Sequence, residues 1–242
     1  MGIIKTKGII LRESNFNDCD KMLTMLTPGI GKISCLAKGA RRPRSLLLGG
    51  SQFLCFGDYI IFKGTNTYQI NSCDTIEMFY NIRTDLEKLR YGVHITKIID
   101  DVTVENQNSY KILQLFLNTI YVISEKEIQL DFVLAIFKIK LLTLLGYAPQ
   151  IERCSCCKTK DDIKYFSIKS DGFICETCGK SDTSSIYINE SVKNAIIYIL
   201  NMPTKKIFSF NIPNNDKKSL ILISKIYLNE KMEKEYKLED LF

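Results

Sequence analysis

The rhythm of hydrophobic and polar positions changes near residue 80. Before that point, β-branched and aromatic residues gather in five short runs: Ile3 to Arg12, Lys21 to Thr27, Lys32 to Ala37, Asp58 to Lys63 and Thr67 to Asp74. Turn-forming residues separate them, at Pro28-Gly29, Gly39, Gly49-Gly50, Gly57, and Gly64 with Asn66. Runs of this length bounded by Gly, Pro and Asn predict strands. Five short antiparallel strands must cover their edges, and closing into a small barrel does so. A five-stranded OB barrel is the natural candidate, and an SH3-like barrel would read much the same.

Beyond residue 80 the period lengthens. Ile82, Leu86, Leu89 and Val93 recur at helical spacing, and Thr84-Asp85-Leu86-Glu87 fits a capping box. A second helix is predicted over Ser109 to Ser124, with Tyr110, Leu113, Leu117, Ile120 and Tyr121 on one side. A third, from about Leu130 to Leu145, is apolar nearly all round, as befits a helix packed on several sides. Gly146 ends it and Pro149 prevents its restarting. Asn189 to Leu200 and Lys217 to Asn229 again read as helical, with Pro203 and Pro213 in the connection. The expected fold class is therefore a multidomain β + α chain. An N-terminal barrel occupies 1–78, and a helical domain over 79–242 carries an insertion at about 149–185.

Composition places the chain in an ordinary class, with 45% hydrophobic and 25% charged residues. The longest oily stretch, Phe132 to Leu145, contains Lys138 and Lys140 and is too short to span a bilayer. The start does not read as a signal peptide, so a cytoplasmic protein without membrane partners is expected. The nine cysteines are distributed unevenly. Cys19, Cys35, Cys55 and Cys73 are scattered among apolar neighbours, where a free thiol packs as a small hydrophobe. The other five crowd into residues 154–178. Cys154 and Cys157 form one C-x₂-C pair, Cys175 and Cys178 a second, with 17 residues between the pairs. Each such turn can point two thiolates at one tetrahedral centre. Between them, Tyr165 to Ile168, the turn Asp171-Gly172 and Phe173-Ile174 predict a β-hairpin, the pattern of a zinc ribbon. A disulfide or redox pair is disfavoured by a reducing compartment and by the doubling of the motif. Cys156 is left as a bystander.

Catalysis at that metal is not expected. Four thiolates close the shell, whereas a catalytic zinc keeps a position open. The one histidine, His94, lies far away in sequence and reads as an ordinary helix residue, and there is no H-x-E motif of the deaminase kind. One Zn²⁺ ion with a structural role is the expectation, its binding energy standing in for core in a small segment. No catalytic residue is assigned.

Charge redraws the picture of the barrel. Lys38 to Gly50 reads KGARRPRSLLLGG, and no acidic residue occurs between Asp20 and Asp58, a window that holds Lys21, Lys32, Lys38, Arg41, Arg42 and Arg44. Ten Lys and Arg stand against six Asp and Glu in residues 1–78, which puts +4 of the chain's net +6 there. Such a run repels itself unless an anion offsets it. The planar arginine fork suits phosphate oxygens, and Pro43 limits collapse of the loop. On a barrel this describes a groove for a nucleic-acid backbone, with Phe53, Phe56, Tyr59, Phe62 and Tyr68 available for base stacking. A merely solvated turn is the competing reading. A nucleotide site is disfavoured, because Gly29-Ile30-Gly31-Lys32 lacks P-loop spacing and no G-x-G-x-x-G enters a helix.

Lys7 through Gly64, and above all GKISCLAKGARRPRS, followed by the four-cysteine insertion after Tyr147-Ala148-Pro149, resembles the RecO family of bacterial DNA-repair proteins. The resemblance covers most of the chain. It implies an N-terminal OB-fold, a helical domain with a zinc ribbon, and a non-enzymatic recombination mediator, bacterial and nucleoid-associated. Such a protein binds single- and double-stranded DNA, anneals complementary strands, and works with RecR to help load RecA on strands coated by single-stranded-DNA-binding protein, whose C-terminal tail docks among the C-terminal helices. By the resemblance, DNA contacts fall on Lys32, Lys38, Arg41, Arg42 and Arg44, and zinc ligands on Cys154, Cys157, Cys175 and Cys178. Leu46-Leu47-Leu48 departs from the basic residue expected after Ser45. An RNA-binding OB-fold and zinc-ribbon protein, or a scaffold recognising acidic tails, remain as alternatives.

Overall fold

The computed structural model describes residues 2–65 and 67–238, so Asn66 of the expected Gly64 turn lies outside the described residues. By packing, the chain divides into two compact units, Met1–Ser124 and Glu125–Phe242. Helices that follow the barrel up to Ser124 thus belong to the same compact unit as the barrel.

The first unit begins with five strands: β1 (Gly2–Phe16), β2 (Asp20–Thr27), β3 (Gly31–Ala37), β4 (Phe56–Lys63) and β5 (Tyr68–Glu77). They close in the order β1-β2-β3-β5-β4, with β4 returning to β1. Among the described pairings of the barrel, β3–β5 is parallel and the others are antiparallel. β1 is long enough to serve both neighbours, pairing with β4 over Gly2 to Ile9 and with β2 over Ile9 to Phe16. Its register shifts between Ile10 and Arg12, and such an irregularity lets a strand bend around a barrel corner. Alternate residues fill the interior: Ile10, Leu23, Met25, Ile33, Cys35, Tyr59, Ile61, Tyr68 and Ile70. Cys35 and Cys55 are core residues as expected, and burial pushes Cys35 up to about 12, keeping it an inert thiol.

Three helices complete this unit: α1 (Tyr80–Thr84), α2 (Leu86–Val102) and α3 (Tyr110–Glu125). Two expectations need correction here. The predicted first helix is split, because Asp85 rather than Thr84 caps α2, accepting from the backbone N–H groups of Glu87 and Lys88. Its buried face consequently runs through Tyr91, His94, Ile95, Ile98 and Ile99, and Leu86 is exposed. On α3 the buried face is Ile112, Leu113, Leu115, Phe116, Thr119 and Ile120, leaving Tyr110 and Tyr121 outside. The α2–α3 connection is stitched to the β2–β3 turn by Lys32 N–H to Val104 O, Asn106 N–H to Ile30 O and Ser109 N–H to Pro28 O.

In the second unit α4 (Leu130–Leu144) is buried almost throughout. Its two lysines have separate solutions. Lys140 donates to the carbonyls of Leu200 and Met202 at 2.8 and 2.7 Å, serving the carbonyls at the end of α6 (Glu190–Asn201). Lys138 is 5% exposed, and burial, reinforced by nearby Lys225, lowers it to about 8. Asn189 caps α6 through Val192 N–H. α7 (Asn214–Met232) starts three residues before the expected Lys217, because Pro213 immediately precedes it and suits a helix start.

Between α4 and α6 lies a small sheet, β6 (Ile163–Ser167), β7 (Gly172–Cys175) and β8 (Ser185–Tyr187) in the order β7-β6-β8, with α5 (Glu176–Ser181) after β7. The hairpin matches expectation; α5 and β8 are additions. This segment owns a real core of Ile163, Phe166, Ile168, Phe173 and Ile174, more than its polar composition suggested. Phe166 also meets Tyr227 of α7 edge-on at 5.3 Å, and Lys231 of α7 pairs with Asp171.

Gly31 has φ +79, and a Cβ there would lie 2.1 Å from Val104 O and 2.8 Å from Gln107 O. Gly31→Ala is expected to destabilise the first unit by about 2–4 kcal/mol in chemical denaturation. Gly29→Ala, whose Cβ would meet nothing within 4 Å, serves as the control and should shift stability by no more than about 0.5 kcal/mol.

Candidate metal centre and nucleic-acid interface

The hairpin brings the two C-x₂-C turns together. One ligand atom from each of Cys154, Cys157, Cys175 and Cys178 lies within 4.8 Å of every other. Four thiolates around an ion at about 2.3 Å would stand some 3.8 Å apart, and Cys157 Sγ and Cys175 Sγ are 3.6 Å apart. No two of the nine cysteines are joined in this structure. Cys154 and Cys175 are buried, whereas Cys157 and Cys178 sit toward the surface. The backbone N–H of Cys175 is directed at Cys154 Sγ at 3.4 Å. Burial alone would raise Cys154; N–H groups of Cys175, Cys157 and Cys156 outweigh it and bring the thiol down to about 6. Donors aimed at a sulfur stabilise the thiolate that a metal needs. The donor set therefore fits a tetrahedral thiophilic ion. Cys156 is exposed, and its Sγ lies against Ser170 Oγ at 3.3 Å, outside the cluster.

The basic residues separate into two groups. Lys21 pairs with Glu13, and Lys32 Nζ lies 3.0 Å from Asp100 of α2, which also receives Arg12 at 3.0 Å. Lys32 is thus committed to holding α2 on the barrel. Lys38, Arg41, Arg42 and Arg44 are all exposed, and none forms an ion pair among the described residues. Arg41 leans on the β1–β2 turn, donating to Asn17 O at 3.4 Å and Asp18 O at 3.1 Å, while Asp20 accepts from Gly39 N–H. The 38–55 segment joining β3 to β4 is not slack. Turns follow at three-residue steps: Arg42 N–H to Gly39 O, Ser45 N–H to Arg42 O, Leu48 N–H to Ser45 O, then Gln52 N–H to Gly49 O and Cys55 N–H to Gln52 O. Ala40, Leu47, Leu54 and Cys55 are buried and pin it down.

The aromatic residues proposed for stacking are mostly spent elsewhere. Tyr59 is buried with its hydroxyl donating to Gly50 O at 2.8 Å, and Tyr68 is buried and donates to Glu105. Phe53 and Phe56 are half-buried, and Phe62 is exposed. Sequence reasoning missed Phe16, 42% exposed at the end of β1 and one residue from the carbonyl that Arg41 touches. An aromatic residue set among Ser14, Asn15, Asn17 and Asp18 was the available signal. His94 is buried in α2, and the structure does not bring it into either site.

Purified protein is expected to take up one thiophilic divalent ion per chain, measured by elemental analysis. Cys175→Ser should abolish uptake and Cys156→Ser should leave it unchanged. Since the ligands bind deprotonated, retention should decline as pH falls.

The chain is also similar to known proteins along most of its length. Residues 1–79 match the family model described as Recombination protein O N terminal, and residues 83–239 match Recombination protein O C terminal. A DNA repair protein RecO of Acetivibrio thermocellus is 40% identical over 237 residues, covering 98% of this chain and 94% of the relative. That of Alkaliphilus metalliredigens is 36% identical over 199 residues, covering 82% and 81%. That of Clostridium perfringens is 28% identical over 230 residues, covering 95% and 93%. With both halves matched, the five-stranded OB-like barrel and the helical unit with its cysteine cluster make this chain a member of the RecO family.

Proposed function

We propose that this protein acts in DNA repair and recombination by binding DNA through the loop between β3 and β4. The observation that carries the reading is the exposed set Lys38, Arg41, Arg42 and Arg44, held on a braced loop in a stretch without a carboxylate. Phosphates of a polyanion supply the missing negative partner. Held against this surface, two strands repel each other less and their bases can pair, which is strand annealing without bond chemistry; no residue is given a catalytic role. Residues 1–78 serve as the nucleic-acid-binding part, with Lys32 contributing less than the loop because Asp100 already neutralises it. Phe16 is the aromatic face best placed for a base.

Residues 79–242 carry the partner functions in this reading: docking of RecR, and of the tail of single-stranded-DNA-binding protein, so that RecA can be loaded. The ion at Cys154, Cys157, Cys175 and Cys178 is zinc. It supplies folding free energy by fixing the two turns, and its four-thiolate shell leaves no position for substrate.

The triple variant Arg41→Ala, Arg42→Ala, Arg44→Ala tests the assignment. Its slope of log affinity against log salt on duplex DNA should be shallower than wild type by about 2–3, since each lost phosphate contact removes about 0.9. Zinc content and thermal stability should be retained. An unchanged slope removes the loop from the interface. Matched single-stranded RNA that competes better than DNA would instead support an RNA-binding protein.

A further inference from the structure

The loop presents a side chain that phosphate binding does not explain. Leu46 is 94% exposed, the most exposed large hydrophobic residue among those described. Its position is built rather than incidental. Leu46 occupies the second place of the turn closed by Leu48 N–H to Ser45 O at 3.2 Å, and Ser45 Oγ accepts from Leu47 N–H at 3.2 Å. Leu47, the next residue, is 7% exposed and belongs to the barrel core, so its burial fixes the turn from below and leaves Leu46 at the apex. The preceding turns carry Arg41, Arg42 and Arg44 to the surface within five residues of it, and Leu48 beside it is 42% exposed.

A rigid apolar tip flanked by cations matches one kind of occupant. Arginines draw a phosphate backbone onto the loop, and the surface within a side chain's reach of that backbone is the edge and face of stacked bases. An aliphatic side chain placed there enters between neighbouring bases and unstacks them, gaining the burial that it lacks in the free protein. A protein-partner pocket could also bury a leucine, but a pocket complementary to this loop would have to be acidic as well. The family membership and the charge both favour nucleic acid.

Resting on the DNA-binding reading above, we infer that Leu46 is an intercalating wedge that opens the base stack of DNA gripped by Arg41, Arg42 and Arg44. Unstacking prepares a strand for pairing, because self-structure must melt before complementary bases can meet. The wedge reads no sequence, since any step presents an apolar face.

The experiment uses full-length protein and DNA strands carrying a single 2-aminopurine, whose fluorescence rises when it leaves the stack. Wild type should raise the signal, and Leu46→Ala should lose most of that rise while keeping the wild-type salt slope, as no phosphate contact is removed. Leu46→Met should restore the rise. The Arg41/Arg42/Arg44 triple alanine variant, compared at concentrations that saturate the DNA, should keep part of the rise despite its weakened binding. An undiminished signal from Leu46→Ala overturns the wedge while leaving the DNA-binding reading intact. So does a Leu46→Ala defect confined to capture of a protein partner. Failure of the wild-type protein to bind DNA at all overturns both.

Discussion

Closure of the barrel through β1 and β4 is the constraint from which the proposed interface follows. β3 is flanked by β2 and β5, so a chain leaving Ala37 cannot turn directly into the next strand. It must travel to the far side of β1 to begin β4 at Phe56. A crossing of this kind runs over the surface with its backbone needing partners, and here successive turns supply them. Four buried anchors, Ala40, Leu47, Leu54 and Cys55, hold the crossing against the barrel. Between Ala40 and Leu47 every residue but half-buried Ser45 is exposed. Placing arginines and a leucine there converts a topological necessity into a surface with both charge and an apolar tip.

The cysteine cluster solves a different problem in the other unit. Its two turns lie 17 residues apart in the chain, and the β6–β7 hairpin brings them to one place. Asp171 and Gly172 both adopt positive φ at the turn, and Gly172 packs so closely on Gln150 that a Cβ would lie 2.2 Å from its carbonyl oxygen. The same hairpin presents Phe166 to Tyr227 and Asp171 to Lys231. The ribbon is therefore tied to α7 as well as to its own thiols, and the order of one supports the order of the other.

What could be read in advance followed short-range chemistry. Strand runs bounded by glycine and proline located all five barrel strands to within a few residues, and cysteine spacing alone identified the four clustered thiols. Helix faces were less legible. Tyr110 and Tyr121 share a helical spacing with Leu113 and Leu117, yet lie outside, because the buried face of α3 runs through Ile112 and Phe116 instead. The fates of individual cations were hidden for the same reason. Lys32 and Arg12 meet Asp100 from 68 and 88 residues away, and no local pattern announces such a pairing. Phe16 escaped notice because what places it beside the arginine loop is Arg41 meeting the β1–β2 turn, a contact between loops that no local pattern announces.

The internal use of lysines also bears on how quickly a partner is found. Of the chain's +6, Lys138 and Lys140 are buried inside the helical unit. Lys164 and Lys180 share Glu176, and Lys21 and Lys32 are neutralised on the barrel. These pairings are already contained in the net charge of +6, so they change where the positive field is concentrated rather than its total, and at physiological ionic strength that field decays over about 8 Å. On the proposed reading, attraction of a polyanion is then a short-range effect concentrated at the exposed, unpaired cations of the loop between β3 and β4.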